Sequence, residues 1–332
     1  MSLRNTLQGH SDYIRSVAWR ADGKVLASAS WDKTIKLWDG ETGVCLKTLQ
    51  GHSCYVYSVA CRADGKVLAS GGYDTIKLWD AESGALLKTL EGHSDAVFSV
   101  AWQPDGKNLA SGSYDIKLWD TESGACLKTL QENSHWVKSL AWRPDGKVMA
   151  SGSEDKTIKL WDAESGACLK TLQGHSIVCS VAWRPDGKVV ASASYDIIKL
   201  WDAESGACLK TLQGHSDWVF SVAWQPDGKV LASGSKDKTI KLWDAESGTC
   251  LKTQEGHSCY VYSVAWRPDG KVLASASNDN SIKLWGCFYT KKFIITAVTA
   301  LKRCNLIPDV INLIMMQMGV IDQNCKLDSI VL

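Results

Sequence analysis

The chain predicts an all-β fold: a seven-bladed β-propeller closed by its own N-terminal strand, with a short non-repeat C-terminal tail. Three observations carry this prediction. One unit recurs seven times at intervals of 40 to 42 residues, closing at Trp38-Asp39, Trp79-Asp80, Trp119-Asp120, Trp161-Asp162, Trp201-Asp202, Trp243-Asp244 and Trp285-Gly286. Each unit contains four short apolar runs separated by turn residues. The two ends of the chain are offset, so that the segment before the first unit matches the strand that the last unit lacks.

The elements follow in order within each unit. In the first, YIRSVAW, KVLASAS, TIKLWD and VCLKTLQ have strand character and are too short for helices of ordinary length. The connections are tight hairpins: ADG or PDG, then Asp with Lys-Thr, then ESG or ETG, with Gly where a positive φ is needed. Each unit is therefore a four-stranded antiparallel meander. One such sheet cannot bury both of its apolar faces, but seven stacked radially bury each other's. LRNTLQGH at the start aligns with the CLKTLQGH between units, so residues 3 to 8 are expected to be an outermost strand that completes the last blade and removes an exposed edge. The predicted repeats are 9–50, 51–91, 92–131, 132–173, 174–213, 214–255 and 256–286, the last completed by 1–8, followed by a tail over 287–332.

A chain of 332 residues would ordinarily suggest two or three domains, and the repeat overrides that expectation in favour of one propeller, expected to be monomeric. The composition, 45% hydrophobic and 22% charged with a net charge of +1 spread evenly among the copies, offers no surface for nucleic acid or membrane. The start, MSLRNTLQGH, has no apolar stretch behind its Arg, so a cytoplasmic or nuclear, reducing location is expected rather than secretion. Of twelve cysteines, Cys45, Cys126, Cys168, Cys208 and Cys250 occupy one place in CLKTL and read as small buried apolar residues. No two cysteines have the close pairing of a zinc site and the histidines fall one per repeat, so neither a metal nor another cofactor is expected.

Gly-His followed about 28 residues later by Trp-Asp, in copies of about 40 residues, resembles the WD40 family of β-propellers over residues 1 to 286. The resemblance implies a hydrogen-bonded brace within each blade: His10, Ser28, Asp32 and Trp38 in the first copy, His215, Ser233, Asp237 and Trp243 in the sixth. A buried indole N–H and imidazole need partners, which is the physical sense of such a brace, and repetition once per blade marks these residues as structural rather than catalytic.

Several copies depart from this pattern. The fourth places Asn133 at the His position, so its brace should be incomplete. The turn before the third strand loses one or two residues after Tyr73, Tyr114 and Tyr195, which should change the hairpin's type or register and leave Asp74, Asp115 and Asp196 short of their histidines. The fifth copy loses a further residue in its first strand. The tail has no Trp and no trace of the repeat; Asp309 there is placed to cap a short helix through Val320. Three readings of the tail stand side by side: a helix docked on the propeller, a loosely ordered segment, or sequence that is not a selected part of the protein.

Because the copies are so alike, the positions that vary stand out. They lie three and five residues after the His and just before the turn Asp: Tyr13, Arg15 and Trp31; Tyr55, Tyr57 and Tyr73; Phe98 and Tyr114, beside Ala96; Trp136, Lys138 and Glu154; Tyr195; Trp218, Phe220 and Lys236; Tyr260, Tyr262 and Asn278. All fall at the same end of their strands, so a propeller gathers them on one rim around the central channel. Rigid aromatics with a few charges have the composition of a protein-binding surface. The plainer reading is that inner-strand aromatics pack against neighbouring blades. Phe98 and Phe220, at equivalent positions three blades apart, are expected to flank an Arg or Lys inserted from a peptide. The expected function is a non-catalytic scaffold binding peptides or protein surfaces on this rim. The alternatives are a recognition module of a larger signalling or defence assembly and a lectin-like or small-molecule-binding propeller. An enzyme is not expected, since no nucleophile with a base, phosphate loop or non-repeating carboxylate pair stands out.

Overall fold

Alternating apolar residues and hairpin turns build the same sheet seven times in the computed structural model, which describes residues 1–286. The expected helix from Asp309 to Val320 lies outside the described residues. The propeller is one compact unit, Leu3–Trp285. The described residues hold 28 strands and no helix, in seven four-stranded sheets.

After β1 (Ser2–Gln8), the first blade runs β2 (Ile14–Trp19), β3 (Val25–Ser30), β4 (Ile35–Asp39) and β5 (Cys45–Leu49), paired in that order. The next five blades repeat this meander. The last has only three strands of its own, and β1 pairs with Ser281–Gly286 as its outermost strand, the closure the sequence predicts.

The apolar cores lie between neighbouring blades. Ala27, Ile35, Leu37 and Leu49 of the first pack with Val56, Val59, Leu68 and Trp79 of the second. At the closure, Leu7 joins Val272, Ala274, Ile282 and Leu284 against Ile14, Trp19 and Trp38. The recurring Ser of the inner strand has a specific task. Its hydroxyl accepts the backbone N–H of the next blade, from Ser16 with Val59 (3.2 Å) around to Ser263 with Val17 (3.2 Å). Inner-strand indoles donate across the same seams, as Trp19 does to Ala265 O at 3.1 Å.

The CLKTL cysteines depart from expectation. Cys45, Cys126, Cys208 and Cys250 are exposed and Cys168 is half-buried. Their strand is the outer edge of each sheet, and only its final Leu, as at Leu49 and Leu172, turns into the core between blades.

The braces divide the blades into classes. In the first, sixth and seventh they are complete. With a neutral imidazole, Trp38 Nε1–H donates to Ser28 Oγ (2.8 Å), Ser28 donates to His10 Nε2 (2.7 Å), and His10 Nδ1–H donates to Asp32 (2.7 Å). His215 and His257 repeat this with Asp237 (2.7 Å) and Asp279 (2.8 Å). Burial alone would raise these carboxyls, but hydrogen bonds from His and from Thr or Ser outweigh it and hold all three well below the usual carboxylate range. In the fourth blade both amide atoms of Asn133 are buried without a partner, as the substitution implies, while Trp161 still donates to Ser151.

The shortened turns of the second, third and fifth blades change type but not register. Ser70 pairs with Lys77, Ser111 with Lys117 and Ser192 with Lys199, as Ser28 pairs with Lys36. What is lost is a left-handed residue, present as Lys33, Lys156, Lys238 and Asn280 in the full-length turns. His52 and His175 keep their Ser partners but have no Asp, whereas Asp115 does reach His93, at 2.9 Å, correcting the expectation for the third blade.

Candidate functional site

The residue just before the recurring Ser of each inner strand decides what faces the channel, and in four blades a backbone irregularity aims it there. In the four blades with full-length turns, the ladder between the first two strands is broken by a β-bulge, and the extra residue is Arg15, Lys138, Phe220 or Tyr262. A bulge leaves its residue unpaired and redirects its side chain. In the three shortened blades the inner strand has four residues instead of six, and Tyr57, Phe98 and Cys179 donate their own N–H to Gly71, Gly112 and Ala193 O at 2.9 Å. All seven side chains line one cavity of about 470 Å³ to which every blade contributes.

Ten of the eighteen residues selected from sequence line that cavity: Arg15, Tyr57, Phe98, Lys138, Glu154, Trp218, Phe220, Lys236, Tyr260 and Tyr262. The other eight do not. Tyr13, Trp31 and Tyr55 form a stack beside it, with centroids 5.4 and 4.8 Å apart. Trp31 continues to Tyr57, Tyr57 to Phe98 (5.3 Å), Phe98 to Trp136 (5.6 Å) and Trp136 to Tyr114 (5.7 Å). This makes an unbroken aromatic crescent over the first four blades. Tyr195 packs edge-on against Trp218 at 5.3 Å, and Asn278 is tied by its N–H to Tyr260 O. Tyr73, Tyr114 and Tyr195 are about half exposed. The rim aromatics thus pack on one another and still present surface.

Two lining residues escaped the sequence reading, Ile177 and Cys179. The fifth copy has one residue fewer after its His, so counting from His175 misses them; counting back from the Ser180-Val181 pair, which holds its register, would have found both. Burial pushes the Cys179 thiol up to about 12, so it is a protonated apolar group rather than a nucleophile.

The polar groups of the channel are largely committed to one another. Lys138 pairs with Glu154 at 3.2 Å, Glu154 also meets His135 at 3.0 Å, and Lys236 pairs with Asp217 at 3.3 Å. Lys138 Nζ lies 3.5 Å over Phe98, and Phe220 stacks on Tyr262 at 4.6 Å. Phe98 and Phe220, expected to flank an incoming cation, both line the cavity, one beneath Lys138 and the other stacked on Tyr262. Burial pushes the Lys138 ammonium and the Arg15 guanidinium below their ordinary values and lifts the Tyr57 hydroxyl. Among the described residues no cluster has metal-binding composition, and no helix is long and apolar enough to cross a membrane.

Known proteins match this chain one repeat at a time. The chain is 48% identical over 40 residues to the small ribosomal subunit protein RACK1 of Candida albicans, covering 12% of this chain and 13% of that protein. It is 55% identical over 38 residues to the vegetative incompatibility protein HET-E-1 of Podospora anserina, 11% of this chain and 3% of that one. It is 45% identical over 47 residues to a probable cytosolic iron-sulfur protein assembly protein, a CIAO1 homolog of Ixodes scapularis, 14% and 15% respectively. Each alignment thus spans no more than about a seventh of the relative. The family model described as "WD domain, G-beta repeat" matches residues 1–39, 43–80, 84–120, 124–162, 166–202, 206–244 and 248–286, each span running from an outer strand into the next blade and ending at or beside the Trp-Asp position, and on that coverage the chain belongs to the WD40 family.

Proposed function

We propose that this propeller is a non-catalytic interaction scaffold whose partners, peptides or protein surfaces, dock on the aromatic face at the channel mouth. The observation that carries the reading is the crescent from Tyr13 through Trp31, Tyr55, Tyr57 and Phe98 to Trp136. Aromatic side chains with two rotatable bonds contribute contact area at small entropic cost, and anchors of this kind carry most of the energy of protein interfaces. Relatives named for the small ribosomal subunit and for iron-sulfur protein assembly agree with such a role. A cytoplasmic or nuclear setting goes with it, because the exposed thiols at Cys45, Cys126, Cys208 and Cys250 suit a reducing compartment.

The test is affinity capture from a lysate with the parent and with Trp31→Ala, Tyr57→Ala and Trp218→Ala, each checked by urea unfolding. The expected outcome is loss of the captured partner with stability within about 1 kcal/mol of the parent. Capture of the same partner by all three variants would refute the reading. A second reading, a recognition module of a larger signalling or defence assembly, is favoured by the repeat shared with the vegetative incompatibility protein.

A further inference from the structure

The scaffold reading does not say what enters the channel, and the charges lining it decide the sign. Arg15, the bulged residue of β2, holds its guanidinium carbon 3.5 Å over the ring of Tyr262 and 5.3 Å from that of Trp31. No carboxylate among the described residues lies within ion-pair distance of it. Glu154, the acid of the cavity wall, is committed to Lys138 and His135. Lys138 is itself disfavoured by the charge of Arg15, so the two cations feel each other across the site. Beside Arg15, the indole N–H of Trp31 is a further buried donor without an acceptor. An arginine cannot shed its proton at neutral pH, so half-buried Arg15 presents to the cavity a charge with no counter-ion of its own, which an incoming anion supplies.

We propose that the channel accepts the carboxylate of an Asp or Glu side chain from a docked peptide or protein loop, held on Arg15. This inference rests on the reading of the mouth as a docking face. The N–H groups of a guanidinium match a carboxylate two-for-two. A phosphate, with nearly twice the charge, calls for a cluster of arginines, and among the described residues Arg15 is the one guanidinium lining the cavity. A basic side chain meets Lys138 already over Phe98 and Arg15 already over Tyr262.

The probe is a set of fluorescent heptapeptide pools with mixed flanks and a central Glu, Gln, Lys or phosphoserine, titrated against the full chain at low salt and read by polarisation. The Glu pool is expected to bind about tenfold tighter than the Gln and Lys pools. Arg15→Gln is expected to bring the Glu pool down to the affinity of the Gln pool for the same variant, and Arg15→Lys, which keeps the charge but not the fork, to shrink the difference. Thermal unfolding shows whether each variant is folded, and the Arg15→Lys comparison serves if Arg15→Gln is not. Equal binding of the Glu and Gln pools, lost together in Trp218→Ala, overturns the acidic anchor and leaves the docking face standing. Tighter binding of the Lys or the phosphoserine pool overturns the carboxylate assignment, and binding of no pool overturns both readings.

Discussion

His52 and His175 show how much one missing side chain changes a residue's chemistry. Both keep the Ser hydroxyl that His10 uses and lack its aspartate, and burial, aided by the charge of Lys77 or Lys199, pushes each imidazole down to about 4. The unfolded chain titrates them near 6.5, so between about pH 6.5 and 4 it binds more protons than the folded one. Their contribution to stability is therefore complete above about pH 6.5 and is lost as the pH falls toward 4, on the order of 2 to 3 kcal/mol for each. The depressed carboxyls of Asp32, Asp237 and Asp279 contribute in a lower window, lost only as the pH falls through the carboxylate range. Urea unfolding at pH 7.5 and 4.5 should show a steep loss for the parent and a much flatter one for the His52→Gln, His175→Gln double variant. Equal slopes would mean that these two imidazoles are not what the acid attacks.

A deleted turn residue acts through the whole element. The second blade lacks the left-handed residue that Lys33 supplies in the first and also lacks the bulge in its inner strand, and Tyr57 reaches the channel from just before that strand, with its N–H bonded to Gly71 O. Inserting Lys between Asp74 and Thr75 should rebuild the longer turn and bring Asp74 to His52. Stability should rise by about 1 to 2 kcal/mol at pH 7, and the His52 pKa, followed by NMR, should climb from about 4 toward its ordinary value. A stability that falls, with His52 still near 4, would show that the blade has repacked around its short turn. These elements also mark what the sequence could and could not disclose. Period, turn residues and the offset ends made the blades and their closure legible, because each signal is local and repeated seven times. The variable positions around the channel were legible for the same reason. The bulges were not, since whether Arg15 pairs or protrudes depends on a ladder two strands wide. Nor was the charge balance of the cavity, which needs side chains from every blade at once. The CLKTL cysteines misled because their run is apolar, although its strand is an outer edge.

In a linear array each repeat touches only its neighbours, and a lost end costs little beyond itself. A closed ring differs, because its first and last blades are also neighbours, and here one strand from the start of the chain makes that junction. β1 covers the edge of Ser281–Gly286 and buries Leu7 to 2% exposure against Ile282, Leu284 and Trp38. Asn5 also donates to Glu41 O of the first blade at 3.0 Å, so the strand bridges both sides of the seam. Deleting residues 1 to 8 should remove about 2 kcal/mol at Leu7 alone, besides a ladder of backbone hydrogen bonds. At roughly 2 to 4 °C per kcal/mol for a domain of this size, Tm should fall by at least about 5 °C. The bared strand also offers unpaired N–H and C=O groups to other copies, so light scattering should rise with protein concentration. A synthetic peptide of residues 1 to 8, added in excess, should restore Tm by occupying the vacant edge. A deletion variant that melts within about 1 °C of the parent and stays monomeric would show that the inner-strand seam between Val17 and Ser263 is enough to hold the ring shut.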